Sequence, residues 1–135
     1  MSSSKANNTP LESTEQKTLV AWLELQGLLF TAIPNSTYTT SWAVKRRNYE
    51  QGLRKGLPDL LIVIPPERAV DGTGRVIFCE MKRKKAGVVS PEQKKWIAAL
   101  NAVGGTVDAF VAHGADEAIE EIARVIGVGV DNSIF

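Results

Sequence analysis

Three charged residues stand where apolar runs begin or end. Asp59 follows Pro58 at the mouth of a run over residues 60–64, and Glu80 and Lys82 close another over residues 75–82. Residues two apart on a strand project to one face, so Glu80 and Lys82 point together, and a hairpin between the runs brings Asp59 beside them. Two converging carboxylates suit a hard divalent cation such as Mg²⁺, with Mn²⁺ as its substitute, which takes one or two carboxylates and keeps several waters. An ammonium in the same place is not a metal ligand. It orients a water or offsets charge building on a phosphate in the transition state. Taken singly the pieces are weak, since Glu-x-Lys arises by chance about 0.5 times in a chain of this length. Their context is stronger: Pro-Asp precedes a buried strand and Glu-x-Lys ends the next. The plain alternative is a Glu80–Lys82 surface pair.

Two further residues belong with these. Glu15 falls on or beside the apolar stripe Leu11, Leu19, Trp22 and Leu23 of a first helix, where a carboxylate wants a cation, a metal or a lysine. Its structural alternative is a first-turn acid favoured by the helix dipole. Gln93 is the third residue of a capping box opened by Ser90, yet it shares a helix face with Trp96, Leu100 and Val103 and can point into a site formed by the strands.

The elements that position them read as helix, strand, helix, strand, strand, helix, strand, helix. Residues 1–8 are polar and read as a flexible tail, with one domain over residues 9–135. Thr9 and Glu12 form a capping box with Pro10 at the first helical position, and Gly27 closes that helix. A strand over residues 28–33 ends at Pro34-Asn35, and a Ser/Thr-rich loop, residues 36–41, follows. A short basic helix, residues 42–51, mixes Trp42 and Tyr49 with Lys45, Arg46 and Arg47; packing is the expected role of both aromatics, the alternative being platforms that stack on nucleic acid or wedge a junction. Strands over 60–64 and 75–82 pair as a hairpin, a helix runs over 91–103, a strand over 107–112 and a helix over 116–126. This is an α/β fold, a mixed sheet with helices on both faces.

Composition narrows the function classes. The chain has 135 residues, 44% hydrophobic and 23% charged, which fits one globular domain. No apolar run is long enough to cross a bilayer and the N-terminal residues carry no secretory signal, so no membrane partner is expected. Cys79, the one cysteine, excludes an internal disulfide, points to a reducing cytoplasm and reads as a small core residue. The net charge of +1 is a cancellation. Residues 45–95 hold thirteen bases and six acids, a +7 centre, against three bases and nine acids in the flanks, which sum to −6. A basic centre suits a polyanion, the alternative being a solvated face.

In this order and context, Gly56-Leu57-Pro58-Asp59, Glu80-Met81-Lys82 and Gln93 with Trp96 resemble the VRR-NUC family of the PD-(D/E)xK nuclease superfamily. Glu15 and Pro34-Asn35 fit the same pattern, so the likeness runs from Glu15 to Val111. The resemblance implies a restriction-endonuclease-like core in which Asp59, Glu80 and the backbone carbonyl of Met81 hold a metal. Lys82 would position or activate the attacking water, Gln93 would support Lys82 or the nucleophile, and Glu15 would approach the metal directly or through water. The family's small stand-alone members, often phage-encoded, are similar to Holliday-junction resolvases and act as dimers. The expected activity is therefore Mg²⁺-dependent hydrolysis of phosphodiester bonds in branched DNA, a four-way junction first, by a homodimer. Lys45, Arg46, Arg47, Arg54 and Lys55 would hold flanking phosphates, and Arg83, Lys84 and Lys85 would grip the backbone just outside the site. Alternatives are a restriction-like or homing-type enzyme and a nucleic-acid-binding module without catalysis. His113 is expected to be structural.

Overall fold

The computed structural model describes residues 3–34 and 40–128. The elements are α1 (Ser3–Gln26), β1 (Leu29–Ala32), α2 (Trp42–Glu50), β2 (Leu60–Ile64), β3 (Arg75–Lys82), α3 (Pro91–Ala102), β4 (Val107–His113) and α4 (Ala115–Ile126), with a 3-10 turn at Pro66–Arg68. This is the expected αβαββαβα order. The sheet runs β1-β2-β3-β4, antiparallel except for the β3–β4 pair. The antiparallel β2–β3 pair is joined by a loop whose Asp71 Oδ1 accepts from Thr73 N at 2.9 Å. The chain leaves β3 through α3 and must cross over to re-enter the sheet, so β4 lies parallel.

Register decides which face each strand residue serves. Leu60 opposes Cys79 and Ile62 opposes Ile77, and all four are buried with Met81, Ala112 and Ile64 in one core. Leu19, Trp22 and Leu23 of α1 and Ala118, Ile119 and Ile122 of α4 cover that face. The alternate residues, Glu80 and Lys82 among them, point to the other face, where α3 lies. Helices therefore flank both faces of a mixed four-stranded sheet. Cys79 is fully buried as expected; its thiol is held well above its ordinary range by burial, then by the nearby charges of Asp59 and Glu80.

Four expectations change. α1 begins at Ser3, so residues 3–8 are helical and Thr9-Pro10 lie inside the helix instead of capping it. No glycine or proline before Pro10 stops the helix from running back, and Ala6 favours it. The basic helix α2 starts where expected, its N-cap Ser41 Oγ accepting from Val44 N at 3.3 Å. Its aromatics do not pack: Trp42 is 70% exposed and Tyr49 61%, and among the described residues no element covers that side of the helix. Finally, β4 runs one residue further than its sequence pattern indicates, to His113, and α4 starts one earlier, at Ala115. Asn35 and residues 36–39 of the Ser/Thr-rich loop lie outside the described residues, as do residues 129–135. Among the described residues no helix is long and apolar enough to cross a membrane.

Candidate active site

The β2–β3 register, extended by one pair beyond Leu60 and Cys79, sets Asp59 opposite Glu80 with both side chains on the α3 face. The hairpin therefore brings Asp59, Glu80 and Lys82 together as the spacing predicts. Asp59 is half-buried, and its Oδ2 accepts from Met81 N at 2.8 Å. Its own carbonyl accepts from Ile33 N at 2.7 Å, which ties the end of β1 to the same point.

Glu80 is 3% exposed, the one charged residue buried in this way among the described residues. Its Oε2 accepts from Gln93 Nε2 at 2.9 Å and lies 3.6 Å from Lys82 Nζ. Burial, and then the charge of Asp59, push the Glu80 carboxyl up from 4.5 to about 8. Lys82 pulls the other way and is outweighed. Two facing carboxylates, one of them buried, thus share too little positive charge from the protein itself. A hard divalent cation between such oxygens would relieve that deficit, so the donor set fits Mg²⁺ or Mn²⁺.

Gln93 does two jobs with one amide. Its Oε1 accepts from Ser90 N at 2.9 Å while Ser90 Oγ accepts from Gln93 N at 3.1 Å, the expected capping box. The remaining Nε2 donor is what reaches Glu80, so Gln93 meets the carboxylate and not Lys82. Nothing in the spacing of a capping box signals that second bond.

The segment leading into Asp59 is pinned to α3 by contacts that sequence reasoning missed. Trp96 Nε1 donates to Lys55 O at 2.8 Å. Gly56, at φ +98°, lies so close to the backbone of Glu92 that a Cβ there would sit 2.6 Å from the Glu92 carbonyl carbon. The signal for this was Gly56 itself, a glycine directly before Leu57-Pro58-Asp59.

Glu15 is on the buried side of α1, as its spacing indicated, but its observed partner is elsewhere. Its Oε1 accepts from Ala115 N at 2.8 Å at the start of α4. Gly114, the N-cap of α4, has no side chain to offer, so a carboxylate from α1 supplies the capping oxygen. Among the described residues no three of His, Cys, Asp and Glu converge as a metal set. The backbone N–H of His113 donates to Glu117 Oε1 at 3.0 Å, and its ring Nδ1 lies 3.4 Å from Arg83 O. Of the basic candidates, Lys45, Arg46 and Arg47 are exposed on α2, and Arg54 and Lys55 follow it. Lys84 and Lys85 are exposed after β3, Lys84 lying 3.8 Å from Asp116. Arg83 is half-buried beside them.

A cavity of about 430 Å³ lies at the far end of β3, around Arg75, Asp108 and Arg124, and includes none of these residues. Its central arginine is already paired with Asp108 at 2.7 Å and Asp71 at 2.9 Å.

A mixed four-stranded sheet between helices, with an acid opening one central strand and Glu-x-Lys ending the next, defines the restriction-endonuclease-like fold. The family model of the VRR-NUC domain matches residues 5–116. The chain belongs to the VRR-NUC family and is a nuclease domain of the PD-(D/E)xK type, for which DNA is the substrate. A solved structure of a VRR_NUC domain protein is 25% identical, with a TM-score of 0.61 over 88% of this chain and 90% of that one. A search of curated proteins found no match.

Proposed function

We propose that the protein is a divalent-cation-dependent endonuclease that cuts branched DNA, with a four-way junction as its preferred substrate and a homodimer as its working form. The observation that carries this reading is Glu80, buried between Asp59, Lys82 and Gln93 in a nuclease domain. Asp59 and Glu80 would hold the cation, with the Met81 carbonyl as a further ligand. Bound there, the cation supplies Lewis-acid stabilisation of the charge that develops on the phosphate. The chain's own groups do the rest. Lys82, its ammonium held near Glu80, orients the attacking water and offsets negative charge on the phosphate oxygens. Gln93 fixes the rotamer of Glu80, a role that supports the ligand without touching substrate. Glu15 acts on the site through α4, whose start it secures.

The basic residues of α2, of the 54–55 segment and of the turn after β3 supply a phosphate-binding surface around the carboxylates. A junction must be nicked on two strands, and a two-fold dimer carries two sites in the matching symmetry. The test is cleavage of single strands, duplexes, flaps and four-way junctions by purified protein in Mg²⁺ or Mn²⁺, with sedimentation to read the oligomer. Junction cleavage that disappears in Asp59→Ala and Lys82→Ala is expected. Flap cleavage with intact junctions overturns the resolvase reading, cleavage confined to one duplex sequence favours a restriction-like enzyme, and activity surviving both substitutions removes the proposed site.

A further inference from the structure

The helix α2 is amphipathic in an unusual sense. At 100° per residue, Trp42, Lys45, Arg46 and Tyr49 fall within about 100° of one another on its surface. The opposite side carries Val44 and Asn48, which are half-buried, while no residue of α2 is fully buried. The helix thus rests on Val44 and Asn48 and turns outward a stripe that alternates aromatic rings with cations. Both rings are most of the way into solvent, at 70% and 61% exposure. Each already carries a guanidinium: Arg46 lies 5.3 Å from the Trp42 centroid and Arg54 3.7 Å from that of Tyr49.

Single exposed apolar side chains are ordinary, but two rings on one helix face with cations among them form a patch that suits a partner. Charge chooses the occupant. Lys45, Arg46, Arg47, Arg54 and Lys55 crowd this short stretch, and its acid, Glu50, is 3.4 Å from Arg46. A polyanion is the complement of such a surface, and the polyanion with flat faces for aromatic rings is a nucleic acid with unpaired bases. Paired bases do not present those faces, because each is stacked on its neighbours.

The geometry points to α2 as a single-strand reader: Trp42 and Tyr49 stack on unpaired bases of the substrate while Lys45 and Arg46 hold the intervening phosphates. This rests on DNA being the substrate and adds which part of it is recognised; a four-way junction offers such bases only where pairs at the crossover are opened, and a flap offers them directly. The rings are seven residues apart, about 10.5 Å along the helix, well beyond the roughly 3.4 Å between neighbouring stacked bases. They therefore take two bases that are not neighbours in a stack, and a strand of about three or four nucleotides is the shortest that engages both. From the last residue of α2 to Asp59 is a short segment, pinned to α3 through Lys55 and Gly56, so the reader is held at a set reach from the carboxylates.

The test is equilibrium binding in EDTA, where no cutting occurs, to oligothymidylates of two to eight nucleotides and to a blunt duplex. Trp42 fluorescence should be quenched by the single strands, since Trp22 is buried and Trp96 is held against Lys55. Trp42→Ala and Tyr49→Ala should each weaken single-strand binding about fivefold or more, while duplex binding changes less than about twofold. Trp42→Phe should keep the affinity and abolish the quenching, and the loss in Tyr49→Ala should appear only from about three or four nucleotides upward. Unchanged single-strand affinity in both alanine variants overturns the proposal and leaves this face to a protein partner. Equal losses on single strand and duplex also overturn it. Circular dichroism of each variant checks that the fold is kept. Cleavage by Asp59→Ala bears on the nuclease reading alone, so the two can fail separately.

Discussion

At the scale of single residues, Glu80 is under the greatest electrostatic constraint. Its folded carboxyl titrates near 8 against an ordinary 4.5. The folded state therefore holds an extra proton between those values, and the stability this gives is full below about 4.5 and lost as pH rises towards about 8. Metal-free protein should melt at falling temperature across that window, and Glu80→Gln should flatten the curve; calorimetry as a function of pH reads both. Lys82→Ala should lower kcat by about 10²–10³ in single-turnover cleavage. Gln93 separates architecture from chemistry. Gln93→Glu retains a capping-box residue but puts a carboxylate where Glu80 needs a donor, so activity should fall about tenfold or more and the thermal midpoint should drop more at about pH 8 than at about pH 5, where the carboxyls can share a proton. Gln93→Ala should lower both, the missing cap costing about 1 kcal/mol.

At the scale of elements, the contact between the loop before β2 and the first turn of α3 decides whether the carboxylates meet. Gly56→Ala meets a positive φ and a backbone collision together, so it should destabilise the fold by about 1–3 kcal/mol or more and abolish cleavage. Denaturant unfolding and the cleavage assay check the two parts. Elements of this kind were legible where the signal is local. The capping box at Ser90, the apolar runs of β2 and β3 and the acids at their ends could be read directly, and with them the αβαββαβα order and the Asp59–Glu80–Lys82 cluster. What escaped depends on residues far away in the chain. The partner of Glu15 is 100 residues distant. The exposure of Trp42 and Tyr49 depends on which other elements reach that side of α2, and among the described residues none does, which no periodicity within α2 can report. The start of α1 is ambiguous locally, because a good cap at Thr9 competes with a helix that has no reason to stop.

At the scale of the whole molecule, the charge divides between a basic central segment and an acidic last helix. Asp116, Glu117, Glu120 and Glu121 lie exposed on α4, which packs on the core face, whereas Glu80 and Lys82 open towards α3. The near-zero net charge is thus a basic central segment balanced by an acidic last helix, the two meeting where Lys84 lies 3.8 Å from Asp116. DNA affinity should fall steeply with salt, and neutralising Lys45 and Arg47 should reduce the slope of log K against log salt by about 0.9 for each phosphate that is no longer neutralised. Glu120→Gln should leave it unchanged; titrations at several salt concentrations distinguish them. The same layering has a consequence for synthesis. Asp59, Glu80, Lys82 and Gln93 are made early and close together, but the support behind them joins the first helix to the last, through the bond from Ala115 to Glu15. Until α4 leaves the ribosome, the nascent chain bears an uncovered apolar sheet face and an unanchored first helix. The nuclease domain therefore becomes competent only once α4 has been made, and a polypeptide cut short before Ala115 would carry the candidate catalytic residues without the layer that supports them.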